Sequence, residues 1–194
     1  MNKTVLRMLL VLTSIGIISG GALSVVYKAA FPRIERHRLE ELKRAIFVVL
    51  PDAKDYKTLK KNGLQVYQGI DETGNPVGIA FEAKGNGFQG KITIMAGIDN
   101  RFEKLTGMLV LDQIETPGLG ARIAGDKFRK QFKGLSISPE ITYIKNKKPG
   151  KPNEIQAITA ATISSKAVVK ILNRQIKEIT ETFKEIIVLG ENNG

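Results

Sequence analysis

Gly85-Asn86-Gly87-Phe88-Gln89-Gly90-Lys91-Ile92-Thr93-Ile94-Met95 decides the fold class. Its first six residues satisfy Gly-x-Gly-x-x-Gly, a dinucleotide-binding fingerprint that must follow a strand and open a helix. Here a strand-like run, 91–95, comes straight after, so the six residues read as a hairpin loop and the Rossmann reading is rejected. The pattern repeats outward. Residues 64–67, 77–81, 92–95 and 105–111 are short apolar runs, separated by the turn clusters 71–76, 85–87 and 99–100. Close spacing with short turns implies an antiparallel meander.

Upstream, residues 8–27 hold no charge and are rich in Leu, Val and Ile. Such a run is long enough for one membrane span, and Gly16 and Gly20 suit a helix–helix contact there. It is longer than the apolar part of a signal peptide and has no clear cleavage site, so it reads as a retained anchor. Lys3 and Arg7 lie before it, and Lys28, Arg33, Arg36 and Arg38 after it. By the positive-inside rule this leans towards a cytoplasmic carboxyl side. Leu39, Leu42, Ala45, Ile46 and Val49 then fall at helical spacing, with Pro32 placed to start that helix or bend it away from the anchor. His37, the single histidine, sits among charges on this helix and reads as a solvated surface residue.

Downstream, 124–132 reads as a short helix closed by Gly134, and 141–144 as a strand. A basic loop, 145–151, leads to the run Gln156-Ala157-Ile158-Thr159-Ala160-Ala161-Thr162-Ile163-Ser164-Ser165-Lys166. Val168, Ile171, Leu172, Ile176, Ile179, Phe183 and Ile186 keep helical spacing from there, with Gly190 placed to stop the helix. From residue types alone the run is an ordinary capping cluster, with Thr162 or Ser164 as the cap. The same small residues and free N–H groups at a helix start also suit a phosphate. Both readings stand at this level. The chain has no Cys, which excludes disulfides and thiolate metal or iron–sulfur sites. Its net charge of +11 admits nucleic acid, an anionic membrane or an acidic partner. Scattered Lys and Arg, few aromatics and the anchor argue against nucleic acid.

The run resembles the flavinylation motif of the FMN-binding domain family, Asp/Gln-x-x-Ser/Thr-Gly-Ala-Thr-x-Ser/Thr-Ser. That domain occurs in the G subunit of Rnf electron-transport complexes and in the C subunit of the sodium-pumping quinone reductase. Gln156, Thr159, Ala161, Thr162, Ser164 and Ser165 carry the match, and Ala160 stands where the family has Gly. A second stretch, Glu115-Thr116-Pro117-Gly118-Leu119-Gly120, is similar to the family's Glu-Thr-Pro-Gly-Leu-Gly beside the flavin ring. The resemblance implies FMN held covalently, its phosphate esterified to the Thr162 hydroxyl. Thr159, Ala160, Ala161, Ser164 and Ser165 would lie around the phosphate, and Glu115, Thr116, Gly118, Leu119 and Gly120 around the ring. An unaided threonine is a poor nucleophile and no His or Cys is its neighbour. The resemblance supplies a separate flavin transferase that uses FAD and a divalent metal and releases AMP, with this chain as its substrate.

The expectation is an α+β fold: an N-terminal transmembrane helix, then one FMN-binding domain with an antiparallel sheet and flanking helices. Its parts are a tail at 1–7, the anchor at 8–27, a juxtamembrane helix at 28–50, the domain at 51–190 and a frayed end at 191–194. The resemblance implies an electron-carrier subunit of an Rnf-type ion-translocating complex, with other subunits as partners, no catalytic residue and no metal. It places the domain on the outer face of a bacterial cell membrane, against the lean of the flanking charges. Two alternatives stand beside it: a stand-alone exported flavoprotein of another respiratory chain, and a non-redox anchored binding domain in which Thr162 only caps.

Overall fold

The computed structural model describes residues 3–190. It comprises two compact units, 1–43 and 44–194. Residues 3–43 of the first lie within α1, Lys3–Val49, a single helix that continues through Pro32. Proline removes one backbone donor, but the flanking residues are good enough helix formers to carry the helix across it. The anchor and the juxtamembrane segment are therefore one element. Its best 18-residue window has a mean hydropathy of 2.2 and none of it is buried, so by length and composition it can cross a membrane. Leu9, Leu12, Ile17, Leu23 and Val26 are among its exposed apolar side chains. His37 is exposed on the same helix and faces Glu40 at 3.7 Å.

The second unit opens on the last turn of α1, ahead of the expected domain start at 51. Five strands follow: β1 Asp55–Lys61, β2 Leu64–Ile70, β3 Pro76–Asn86, β4 Lys91–Asp99 and β5 Leu105–Gln113. They form one sheet in the order β1-β2-β3-β4-β5, every pair antiparallel, as the meander required. The loop expected over 85–90 is the β3–β4 hairpin, shortened to 87–90 because Gly85 and Asn86 still pair in β3, and Gly87 N–H closes it on the Gly90 carbonyl at 2.7 Å. Strand β1 was not expected, because Tyr56 and Leu59 alone give no alternation. Its signal was the turn: Asn62 and Gly63 both have positive φ, 51° and 77°, as a two-residue hairpin needs.

Beyond β5 come a 3-10 turn, Gly120–Ala124, the one-turn helix α2, Asp126–Arg129, and a second 3-10 turn, Lys130–Phe132. The helix expected over 124–132 is thus broken into pieces, because Gly125 sits extended at φ −76°, ψ 148°. Gly134 closes the segment with φ 76°. β6, Thr142–Ile144, pairs in parallel with β7, Glu154–Gln156, a three-residue strand just past the basic loop. Finally α3, Thr162–Gly190, reaches the glycine placed to stop it, the last of the described residues. The side chain of Ile186 and the expected frayed end, 191–194, lie outside the described residues, as do Met1 and Asn2 of the tail.

Strand alternation gives the sheet two different faces. On one, Ile79, Phe81, Ala83, Ile92, Ile94, Ala96 and Ile98 meet the apolar stripe of α3, Val168, Ile171, Leu172, Ile176, Ile179 and Phe183. Gly85 lets the helix close in, since a Cβ there would lie 3.0 Å from Ile171 Cδ1. The other face receives residues 49–50 at the end of α1. A Cβ on Gly97 would sit 2.6 Å from the Val49 carbonyl oxygen, and one on Gly69 2.8 Å from Leu50 Cδ1. The chain has the α+β fold expected of it.

Candidate functional site

The loop before α3 is shaped by one left-handed residue and one serine. Ala160 has φ 65°. A side chain costs roughly 1–2 kcal/mol in that region, which is the physical reason a Gly serves better there. Ser165, fully buried, ties the two sides of the loop: its hydroxyl accepts from Ile158 N–H at 3.0 Å and donates to the Ala161 carbonyl at 3.0 Å. Gln131 braces the strand leading in, accepting from Gln156 N–H at 2.7 Å.

Helix α3 begins at Thr162, so Thr162 is its first residue and not a cap. Ser165 N–H reaches the Ala161 carbonyl at 3.0 Å. Among the described residues the N–H groups of Thr162, Ile163 and Ser164 have no acceptor. The Thr162 side chain is half-buried beside these donors, and Thr159 and Ala160 lie on the approach, Ala160 exposed. Ser164 and Ser165 point inward, 3% and 0% exposed, with their hydroxyls already engaged. Their hydroxyls are thus taken up inside the fold, and the donors left open at the helix start are backbone N–H groups.

Glu115 is the centre of the second stretch. It is 5% exposed, and one carboxylate oxygen, Oε1, accepts from Phe88 N–H at 2.8 Å and Gln89 N–H at 3.0 Å. The other oxygen accepts from the Ser164 hydroxyl. Burial works to raise the carboxyl pKa, but the Ser164 hydroxyl and the N–H groups of Gln89, Phe88 and Gly90 outweigh it and hold the acid below its ordinary range. Thr116 to Leu119 is a tight turn closed by Leu119 N–H on the Thr116 carbonyl at 3.2 Å, with Gly118 at φ 75° as Pro-Gly requires. Gly120 is buried, and a Cβ there would lie 2.6 Å from Glu115 Oε2 and 2.7 Å from Ser164 Oγ.

One carboxylate thus joins three segments distant in sequence: the β3–β4 hairpin, the 115–120 turn and the start of α3. The structure brings together the two stretches that sequence singled out, but Glu115 does it from inside, as a clamp. Sequence reasoning missed what stands around the clamp. Phe88, Ile114, Leu119 and Ile163 are exposed by 61%, 66%, 44% and 59%, and each belongs to the network or adjoins one of its members in sequence. Only Leu119 was expected to meet a ring. A lone large apolar residue in a glycine-rich or polar stretch was the signal for Phe88. Beside the loop, Arg122, Lys127, Gln131 and Thr159 help to line a cleft of 130 Å³ that adds positive charge.

Free donors at a helix start, a threonine hydroxyl among them and apolar side chains on the adjoining surface fit a phosphorylated flat ring. Residues 87–177 match the FMN-binding domain family, a span that takes in the hairpin tip, the clamp and the Thr162 loop. The solved structure of NqrC from Shewanella oneidensis superposes with a TM-score of 0.61 over 73% of each chain, at 19% identity, and so shares the fold. The C subunit of the Na(+)-translocating NADH-quinone reductase from Parabacteroides distasonis gives 0.53 over 60% of each chain, at 27% identity. In sequence, the G subunit of the Na(+)-translocating ferredoxin:NAD(+) oxidoreductase complex of Acetobacterium woodii is 30% identical over 192 residues, 90% of this chain and 91% of that one. The G subunit of the ion-translocating oxidoreductase complex of Methanosarcina acetivorans is 29% identical over 92% of this chain and 96% of that one. The chain belongs to the family of G subunits of ion-translocating oxidoreductase complexes, and it carries their FMN-binding domain.

Proposed function

We propose that this chain is the membrane-anchored, FMN-carrying electron-transfer subunit of an Rnf-type ferredoxin:NAD ion-translocating complex, with FMN esterified through its phosphate to Thr162 Oγ. The observation that carries the attachment is the set of unpaired N–H groups on Thr162, Ile163 and Ser164 at the start of a 29-residue helix. The positive end of the helix and these donors would hold the negative charge of a phosphodiester. When bound, the flavin supplies the redox chemistry. The protein's residues do the rest. Ser165 and Ala160 shape the loop, Glu115 locks it to the hairpin and the 115–120 turn, and Leu119, Phe88 and Ile163 offer an apolar surface for the ring.

The domain from 44 onward has no His and no Cys to take the Thr162 proton, so a separate flavin transferase would make the ester during maturation. After co-expression with such an enzyme, the denatured chain should fluoresce on a gel, and Thr162→Ala should be dark. A fluorescent Thr162→Ala band sinks the assignment. The ring contact has its own check: Leu119→Ser should keep the covalent flavin and shift its potential or spectrum, and an unchanged potential and spectrum would remove Leu119 from the ring.

The apolar part of α1 would anchor the domain on the periplasmic or extracellular side of a bacterial cell membrane. A phosphatase fused after Gly194 should then be active, and a reporter that works only in the cytoplasm silent. The reverse pattern turns the domain inward.

A further inference from the structure

We propose that the basic groove along α3 is the docking surface for an acidic face of a neighbouring protein subunit. Lys166, Lys170, Arg174 and Lys177 follow one another at steps of four, four and three residues, so they form one row on one side of the helix. Together with β6 they line a groove of 690 Å³, with Ile141 and Val169 buried within it and Tyr143 at its wall. Among the described residues lining it only Glu140 is acidic. The β6–β7 loop extends the positive field with Lys145, Lys147 and Lys148, all exposed.

Among the described residues the row has no acidic partner. Among the described residues Lys166, Lys170 and Lys177 make no ion pair, and the Arg174 guanidinium donates to the Lys84 carbonyl. Like charges at these spacings repel and weaken a helix. Three such steps in succession are a local cost that a negatively charged partner relieves. The row also begins four residues past Thr162, about 6 Å along the axis at the helical rise per residue. A partner seated there lies beside the flavin end of the domain. Steering by opposite charge is how small, short-lived redox contacts form quickly. A concave groove with apolar residues in it suits a protruding acidic segment of a protein better than a flat lipid surface.

This inference rests on reading the chain as a member of a multi-protein complex. The test is zero-length carbodiimide coupling, which joins an amine directly to a carboxylate, applied to the intact complex purified through another of its proteins. Peptide mapping should find Lys166, Lys170 or Lys177 linked to Asp or Glu of a second chain. Links confined to the β1 lysines, Lys57, Lys60 and Lys61, or to carboxylates of this chain, overturn the proposal. In parallel, Lys166→Glu/Lys170→Glu/Lys177→Glu should cut co-purification roughly tenfold, as loss of steering charge predicts, while the same reversal at Lys57, Lys60 and Lys61 leaves it nearly intact. Unchanged retention of the groove variant overturns it as well. So does a groove variant that stays in the complex but loses the full chain's binding to phosphatidylglycerol vesicles over phosphatidylcholine ones, because the groove is then a membrane surface. Flavin fluorescence is read on every sample. A bright band without cross-links rejects the groove alone, and a dark band rejects the covalent flavin while the cross-links keep their meaning.

Discussion

Two helix ends meet the same domain and are finished in opposite ways. At the end of α1 the carbonyls of Ile46 and Val49 are both taken. The Val49 carbonyl accepts from the Thr106 hydroxyl, Leu50 N–H reaches the Ile46 carbonyl at 2.8 Å, and glycines on the strands beneath leave no gap. At the start of α3 three N–H groups are left without an acceptor among the described residues, although Ala161, Ser164 and Ser165 around them are buried and tied. Any helix leaves its first N–H groups without intrahelical acceptors, and at α3 they stand open over a rigid base, as the phosphate proposed for this end requires. Glycine shows the same division. At Gly97 it exists to admit backbone and side chains, whereas at Gly118 it leaves open space at φ 75°.

The contrast can be broken from either side, and the sealed end should break hardest. Gly97→Val puts carbon against the Val49 carbonyl and the Thr106 hydroxyl, and overpacking of that kind should cost ~3 kcal/mol. Denaturant unfolding of the full chain in detergent measures it. A loss below ~1 kcal/mol, the low end for an overpacked site, would mean the end of α1 is not seated as described.

The clamp comes next. Glu115→Ala strands the Ser164 hydroxyl and two hairpin N–H groups, and should cost about 2 kcal/mol while slowing flavin attachment. Glu115→Gln keeps an acceptor for the hairpin and should cost less. It also isolates a pH effect. The Glu115 carboxyl is held below its ordinary range in the folded protein, so its contribution to stability is full above the unfolded value near 4.5 and is lost as pH falls through the lower folded value. Wild type should therefore lose more stability than Glu115→Gln on acidification below that point. Parallel losses in the two proteins would show that the carboxylate is not the clamp. The smallest effect belongs to the open end: Ala160→Gly should stabilise by no more than about 1 kcal/mol, relief of the left-handed strain being offset by added freedom in the unfolded chain. Destabilisation would show that the methyl group packs against something the loop needs.

How much of this was legible in the sequence follows from the length of each signal. Five strands, β2 to β6, could be read because each holds an apolar run bounded by turn formers, and α3 because its stripe persists over many turns. Strand β1 and strand β7 could not, one being a charged edge with two apolar residues and the other three residues long. The stretches 115–120 and 156–166 were legible as motifs, and the departure at Ala160 was visible, but its φ was not. Glu115 was placed at a ring because its stretch resembles the family's ring-side motif. That its carboxylate is turned inward, to Ser164 forty-nine positions away, is a tertiary fact that no local pattern encodes. The exposed apolar set was equally hidden, since exposure is decided by what the rest of the fold leaves uncovered.

The most direct measurement is a peptide mass map of the full-length chain made with and without a co-expressed flavin transferase. The account predicts one added FMN phosphoester, located on Thr162, present only in the co-expressed sample and absent from Thr162→Ala. A label on Thr159, or no label on a chain that nonetheless binds flavin, would contradict it.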